Sequence, residues 1–219
     1  TGMRNASIDV EAANDLGVIV CGTDGLPYPT AELAWGLILD LARNISEENE
    51  AVKDGEWQTT LGVGLKGKTL GLIGLGNLGG QVANYGNAFG MNVIAWSQNL
   101  TEEKAKDKNA TYVDLDTLMS ESDFISIHTV LSERTLGLID SSKLQLMKKS
   151  SFIVNTSRGP IIDESALVEA LDNAQIAGAG LDVFGLEPMP SDHPLITSNR
   201  TVITPHIGYV TQETYKIFY

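Results

Sequence analysis

Residues 69–79 read TLGLIGLGNLG, and this stretch decides the fold. Thr69 to Ile73 is a short apolar run that predicts a buried strand, and three glycines follow it directly. A helix is predicted next, from Leu78 to Phe89, so the glycines form a G-x-G-x-x-G loop between a strand and a helix. In that setting the pattern predicts a dinucleotide-binding site, whereas the same glycines elsewhere could be an ordinary turn.

Each glycine of this loop has a separate predicted task. Gly74 permits the tight turn, Gly76 lets the backbone approach the pyrophosphate, and Gly79 lets the helix pack closely on the strand. The loop also predicts an acidic residue about 20 positions later, to hold the ribose hydroxyls. The next strand ends instead at Ser97 and Gln98, with no acidic residue and no arginine beside them. Either side chain could hydrogen-bond to NAD or NADP, so the choice of cofactor stays open.

Short apolar strands alternate with helical stretches along the rest of the chain. Further strands are predicted at 17–21, 92–96, 124–128, 151–154, 176–183 and 202–203, and an irregular proline-rich loop at 187–194. Helices are predicted from a cap at Thr30 to about Asn44, over 46–57 and 143–147, after a cap at Asp114, and from a cap at Asp163 to Leu171. This alternation indicates an α/β fold: a doubly wound, Rossmann-like parallel sheet with helices on both faces.

The composition is globular, with 42% apolar and 20% charged residues. The formal net charge of -13, from 15 basic and 28 acidic side chains, argues against nucleic-acid or anionic membrane partners. No apolar stretch is long enough to cross a bilayer, and we expect no metal site. Cys21 is the single cysteine, which fits a cytoplasmic location, and its apolar neighbours predict a small strand residue rather than a nucleophile.

Three later segments are more specific than the glycine loop. Residues 154–160 read VNTSRGP, residues 180–188 read GLDVFGLEP, and residues 204–208 read TPHIG. In this order they closely resemble the D-isomer-specific 2-hydroxyacid dehydrogenases, and the resemblance runs from Gly2 to about Thr211. It implies an oxidoreductase that transfers a hydride between NAD or NADP and a D-2-hydroxy acid or its 2-keto acid.

The resemblance implies a catalytic set of Arg158, Glu187 and His206. Histidine can accept and return the hydroxyl proton near neutral pH, and a carboxylate beside it fixes the ring orientation. The planar arginine fork matches a substrate carboxylate. Taken alone, each residue would favour an ordinary role instead: Arg158 a surface charge, Glu187 a solvated loop acid and His206 a satisfied histidine. Nothing in the spacing brings Glu187 and His206 together; only the resemblance does.

The resemblance also implies further contacts. The loop at Gly2, Met3 and Arg4 would bind the substrate, although Arg4 could equally be an exposed loop residue. His128 is expected at a strand end without a catalytic role, and His193 in solvent. The remaining residues expected along the cofactor are Asn77, Leu78, Thr129, Thr156, Ser157 and Asp182.

Family members have two domains, which implies a division of this chain. Residues 1–25 would be a remnant of the substrate domain, residues 26–204 the dinucleotide-binding domain, and residues 205–219 the start of the return to the substrate domain. Most of the substrate domain would then be absent, so we expect this chain alone to bind cofactor with little turnover.

Two other expectations concern partners and role. A homodimer through the nucleotide-binding domain is expected, with the helix Ala31 to Asn44 and the segment Ser46 to Trp57 as candidate surfaces. The alternative to an enzyme is a non-enzymatic NAD(H)-binding scaffold of the transcriptional corepressor type. Such proteins share the fold and can keep the same three residues.

Overall fold

The computed structural model of the protein describes residues 8–219. Over those residues the fold is built on a seven-stranded sheet in the order β3-β2-β1-β4-β5-β6-β7, and every neighbouring pair is parallel. The strands are β1 (Thr69–Ile73), β2 (Asn92–Trp96), β3 (Thr111–Tyr112), β4 (Phe124–Ile127), β5 (Phe152–Asn155), β6 (Gly178–Leu181) and β7 (Thr201–Ile203). The strand order reverses direction between β1 and β4, which makes this a doubly wound sheet.

Helices cover both faces of the sheet. They are α1 (Val10–Asp15), α2 (Pro29–Arg43), α3 (Ile45–Lys53), α4 (Asn77–Ala88), α5 (Glu102–Lys106), α6 (Leu115–Glu121), α7 (Ser141–Leu146), α8 (Glu164–Asp172), α9 (Pro194–Thr197) and α10 (Gln212–Phe218). One apolar core joins α2 and α4 to the sheet, and a second joins α6, α7 and α8 to it. Within β1, Leu70 and Leu72 belong to the first core and Ile73 to the second, as alternation along a strand requires. The predicted α/β fold class is therefore confirmed.

The first residues of three helices can be compared with the helix caps predicted from the sequence. Asp114 and Asp163 both cap helices: their carboxylates accept from the backbone N–H of residues 117 and 166, at 2.9 and 3.1 Å. The predicted cap at Thr30 is wrong, because α2 already begins at Pro29, and Tyr28, two residues before Thr30, is the capping position. A proline in the first helical position needs no partner for its missing N–H and is already set to the helical φ.

The strand predicted at Gly17–Cys21 is also wrong. This segment follows α1 as irregular chain, and Val18 and Ile19 are 53% and 87% exposed. An apolar run indicates that a segment tends to be buried, but it does not provide a neighbouring strand. The sheet ends at β3 and β7, and neither pairs with this segment. Cys21 is correspondingly an exposed, free thiol rather than a buried strand residue.

The other predicted elements occur close to their expected bounds. The longest predicted strand, 176–183, shortens to β6, and the helix predicted over 46–57 shortens to α3. The proline-rich loop is irregular up to Pro194, which begins α9. The short elements α1, α5, β3 and α10 were not predicted. Among residues 8–219, no helix has the length and apolar character needed to span a bilayer.

Candidate active site

The carboxyl ends of the strands collect most of the predicted site residues at one edge of the sheet. Gly74 follows β1, Thr129 lies two residues beyond β4, and Thr156 follows β5. Asp182 follows β6, and His206 lies just beyond β7. Because all strands are parallel, these ends share one edge, and the crevice of such a sheet opens where the strand order reverses, between β1 and β4.

The glycine loop is packed too tightly for side chains at two of its three glycines. Gly74 has a φ of +100°, and a Cβ there would lie 2.7 Å from the carbonyl carbon of His128. A Cβ on Gly79 would lie 2.1 Å from the Gly74 oxygen. A Cβ on Gly76, in contrast, would meet nothing within 4 Å. The loop therefore needs two glycines for its own packing, while Gly76 faces open space at the start of α4, where no side chain caps the helix.

Alanine substitutions should separate these two roles. Gly79→Ala is expected to lower the free energy of unfolding by about 1–3 kcal/mol or more, because its Cβ overlaps backbone. Gly76→Ala should cost less than about 1 kcal/mol but weaken NADH binding about tenfold or more, since the methyl group occupies the space open to a phosphate. Urea unfolding and fluorescence titration measure the two quantities. Normal NADH binding by Gly76→Ala would show that the cofactor does not approach this backbone.

Two of the three predicted catalytic residues, Glu187 and His206, are in direct contact. The Nδ1 atom of His206 lies 2.6 Å from Oε2 of Glu187, across 19 positions. The other carboxylate oxygen of Glu187 accepts the Phe184 N–H at 2.9 Å. Both side chains are 35% exposed. An ionised carboxylate can only accept, so Nδ1 donates and Nε2 of the ring is left to act on another molecule.

A buried carboxylate holds the backbone that carries His206. Asp182 is 1% exposed and accepts from the Thr204 hydroxyl at 2.6 Å and from the N–H groups of Ile207 and Gly208 at 2.8 and 2.9 Å. These bonds flank His206, whose φ of +54° lies in the left-handed region that non-glycine residues rarely adopt. Asp182 thereby fixes the turn. The predicted contact between Asp182 and the nicotinamide amide stays a prediction.

Arg158 is exposed, and its position is set by backbone packing. Its guanidinium donates to the Ser157 carbonyl at 2.6 Å and makes no ion pair within residues 8–219. A Cβ on the following residue, Gly159, would lie 2.0 Å from the carbonyl carbon of Phe184. The turn carrying Arg158 therefore packs directly on the loop that carries Glu187, while the guanidinium itself bonds to neither Glu187 nor His206.

A second contact anchors this loop, and no sequence pattern predicts it. Glu164 accepts the Gly185 N–H at 3.1 Å with one oxygen and lies 3.1 Å from His193 Nε2 with the other. Nδ1 of His193 accepts the Leu195 N–H at 3.3 Å, so its proton is on Nε2 and faces Glu164. The expectation that His193 lies in solvent is therefore wrong. No spacing rule relates Glu164 to His193, because α8 and the loop meet only in the folded chain.

His128 lies at the end of β4, as predicted, beneath the glycine loop. Its Nε2 lies 2.8 Å from the Ser126 hydroxyl, and its Nδ1 is buried without a partner among the described residues. Burial lowers the pKa of His128 from 6.5 to about 4, so the ring is neutral at physiological pH. The buried Thr156 hydroxyl also has no partner among the described residues, which leaves it available to a ligand.

The low pKa of His128 predicts a pH-dependent stability. The unfolded chain binds a proton at this ring below about pH 6.5, whereas the folded protein does so only near pH 4, so stability should fall as pH decreases between these values. In His128→Gln, the loss of unfolding free energy from about pH 7 to about pH 4.5 should be smaller by about 1–2 kcal/mol. Urea unfolding at both pH values measures the change.

The matched control is Ser126→Ala, which removes the hydroxyl partner but keeps the imidazole. This variant should retain the pH dependence of the unmodified protein, whatever its absolute stability. If His128→Gln and the unmodified protein lost stability in parallel on acidification, His128 would not be the group responsible.

Two of the predicted cofactor residues, Gly76 and Ser97, line the same cleft beside the glycine loop. Gly76 offers open backbone, and a cleft of about 380 Å³ lies beside it and is also lined by Ser97. The Gln98 side chain does not line this cleft, because its amide donates to the Arg134 carbonyl at 2.8 Å. The residues predicted to bind substrate, Gly2, Met3 and Arg4, lie outside the described residues. No group of three or more metal-binding side chains occurs in the described part of the chain.

Comparison with known proteins identifies the family to which this chain belongs. Residues 35–208 match the family described as D-isomer specific 2-hydroxyacid dehydrogenase, NAD binding domain. A glyoxylate reductase from Aeropyrum pernix is 45% identical, over 95% of this chain and 65% of its own length. The chain belongs to the D-isomer-specific 2-hydroxyacid dehydrogenase family.

Solved structures of the family agree with the fold. A phosphoglycerate oxidoreductase from Vibrio cholerae superposes with a TM-score of 0.94 at 33% identity, over 100% of this chain and 71% of that one. A D-lactate dehydrogenase from Aquifex aeolicus, complexed with NAD and lactic acid, superposes with a TM-score of 0.82 at 31% identity, over 98% and 70% of the two chains. The chain thus spans about two thirds of the length of these family members.

Proposed function

We propose that the protein is an NAD(P)-dependent dehydrogenase that interconverts a D-2-hydroxy acid and its 2-keto acid. The observation that carries the proposal is the 2.6 Å contact between Glu187 and His206, placed at the same sheet edge as the glycine loop. A carboxylate-oriented histidine is a general acid and base that works in both directions. The three relatives are named for three different acids, so the proposal extends to the substrate class and no further.

The chain's own residues would divide the chemistry as follows. Bound nicotinamide supplies or accepts the hydride at the substrate carbon. Glu187 holds the Nδ1 proton of His206, so that Nε2 takes the hydroxyl proton in oxidation and returns it in reduction. The exposed fork of Arg158 binds the substrate carboxylate in two-point geometry. Asp182 acts indirectly, because it keeps the His206 turn in its left-handed conformation.

We further propose how the dinucleotide and the domains are arranged. The pyrophosphate would lie on the backbone of Gly76 at the start of α4, and the unpartnered Thr156 hydroxyl would bond to the cofactor. Residues 26–204 would form the dinucleotide-binding domain, with residues 1–25 and 205–219 belonging to the substrate domain. The other proposed cofactor residues are Gly74, Asn77, Leu78, Gly79, Thr129, Ser157 and Asp182, and the proposed substrate-binding loop is residues 2–4.

The location and the assembly of the protein are also part of the proposal. A single free thiol, Cys21, fits a reducing compartment, and we propose the cytoplasm. For a homodimer, the inner side of α2 is already buried against the sheet. The segment that follows it offers the free apolar surface, with Val52 49% and Trp57 77% exposed. We therefore favour this second segment as the dimer contact.

The dimer can be tested by light scattering. The unmodified protein should have the mass of two chains, and the double variant Val52→Asp/Trp57→Ser should be a monomer, because it places a charge and a polar group in the contact. Leu136→Asp alters a residue that is 64% exposed elsewhere, and it should remain dimeric. A monomeric mass for the unmodified protein would contradict the proposal.

The catalytic roles can be tested with the full-length protein. NADH and NADPH oxidation would be followed with a panel of 2-keto acids. His206→Gln should lower kcat by about 100-fold or more, because the proton donor is lost. Glu187→Gln should lower kcat with little change in KM, whereas Arg158→Gln should mainly raise KM. Glu121→Gln, an equal change on an exposed helix end, serves as the control and should be fully active.

Either of two outcomes would contradict the proposal that the protein is a dehydrogenase. One is that no 2-keto acid supports cofactor oxidation although the dinucleotide binds. The other is that His206→Gln turns over as fast as the unmodified protein.

A further inference from the structure

A cleft of about 380 Å³ opens where β2 ends, directly beside the glycine loop. Its polar lining comes from three separate segments: the loop itself, the end of β2, and the α5 region. In dinucleotide-binding sheets, this end of β2 is where the adenosine ribose is recognised. The lining residues are Leu75, Gly76, Ser97, Asn99, Leu100, Lys104, Asp107 and Lys108.

The charge in this cleft is positive, although the chain as a whole carries -13. Lys104 and Lys108 line it, and Asp107 is its one acidic lining residue. The ammonium of Lys104 makes no hydrogen bond or ion pair with any described residue, and Asp107 forms no ion pair there either. The Lys104 ammonium is therefore available to bond a ligand in the cleft.

Lys108 links the cleft to the loop. Its ammonium donates to the Gly76 carbonyl at 2.8 Å, and a Cβ on Gly80 would lie 3.1 Å from the same nitrogen. A lysine held at this point keeps a positive charge beside the start of α4, with two of its three donors still available. An exposed lysine on a solvated helix would need no such contact.

The end of β2 lacks the group that discriminates against a phosphate. NAD-binding sheets place an acid here to bond the 2′-hydroxyl, and that acid would repel a 2′-phosphate. Ser97 stands at this position, and Gln98 is occupied by the Arg134 carbonyl. The cleft therefore presents a hydroxyl, an amide and ammonium groups, which are donors to a phosphate.

We infer that this cleft is a 2′-phosphate-binding site, in which Ser97, Asn99 and Lys104 bind the phosphate of NADP(H) and Lys108 adds its charge from the loop side. The inference rests on the proposed function, since it specifies which of the two nicotinamide dinucleotides the same site selects. Asp107 opposes the phosphate and limits the preference.

The experiment is a titration of the protein with NADH and with NADPH. NADPH should bind more than about tenfold tighter at low salt, and the ratio should shrink as ionic strength rises. Lys104→Gln should weaken NADPH binding about tenfold while changing NADH binding less than about twofold. Lys106→Gln removes an equal charge from the same helix outside the cleft, and it should leave both affinities unchanged.

Two further variants test the sign of the effect. Asp107→Asn should strengthen NADPH binding alone, and Ser97→Asp should reverse the preference to NADH. If NADH binds as tightly as NADPH, or if Lys104→Gln and Lys106→Gln behave alike, the inference is overturned while the proposed function stands. If neither dinucleotide binds, the proposed function itself fails.

Discussion

All strands of the sheet run in one direction, and this constraint places the candidate catalytic and cofactor-binding groups. In a parallel sheet, each connection crosses one face before the next strand begins, so all strands end at the same edge. The loops that follow the strands therefore lie side by side, although they are far apart in sequence. The contact between Glu187 and His206 joins the loops after β6 and β7, which are adjacent strands. The glycine loop after β1 and His128 after β4 adjoin at the point where the strand order reverses. Reversing one strand would remove its loop from the site, whatever residues it carried.

Two of the three buried side-chain atoms that lack a hydrogen-bond partner among the described residues, His128 Nδ1 and Thr156 Oγ1, lie at this edge, whereas Gln175 Nε2 precedes β6 at the other. An unsatisfied buried polar group costs about 1–3 kcal/mol, so folded proteins rarely retain one without a compensating role. The Asp182 carboxylate accepts three hydrogen bonds, and all three fix the turn that carries His206. The Thr156 hydroxyl, in contrast, has no partner among the described residues. The turn that carries His206 is thus held by internal hydrogen bonds, whereas the Thr156 hydroxyl at the same edge is left to bond a ligand.

Sequence patterns recovered the features that depend on neighbours in the chain. The strand before the glycine loop, the loop itself and two aspartate helix caps each have a local cause. The strand predicted at Gly17–Cys21 failed because burial needs a partner that no local pattern supplies, and the predicted cap at Thr30 failed because Pro29 starts the helix earlier. The pairing of Glu187 with His206 was available only through resemblance to a family. The cleft at Lys104 is assembled from three segments, so no spacing within one of them reveals it.

The cleft also shows why net charge is a poor guide to what the protein binds. A chain of charge -13 should repel a dinucleotide that is itself an anion. At physiological ionic strength, however, exposed charges are screened over about 8 Å, so carboxylates on distant surfaces contribute little at the site. A dinucleotide at the proposed site would meet local groups: the free N–H groups and partial positive charge at the start of α4, and two lysines against one aspartate in the cleft. The overall acidity is therefore compatible with an anion site, because the groups that line the cleft, rather than the net charge, set the local potential.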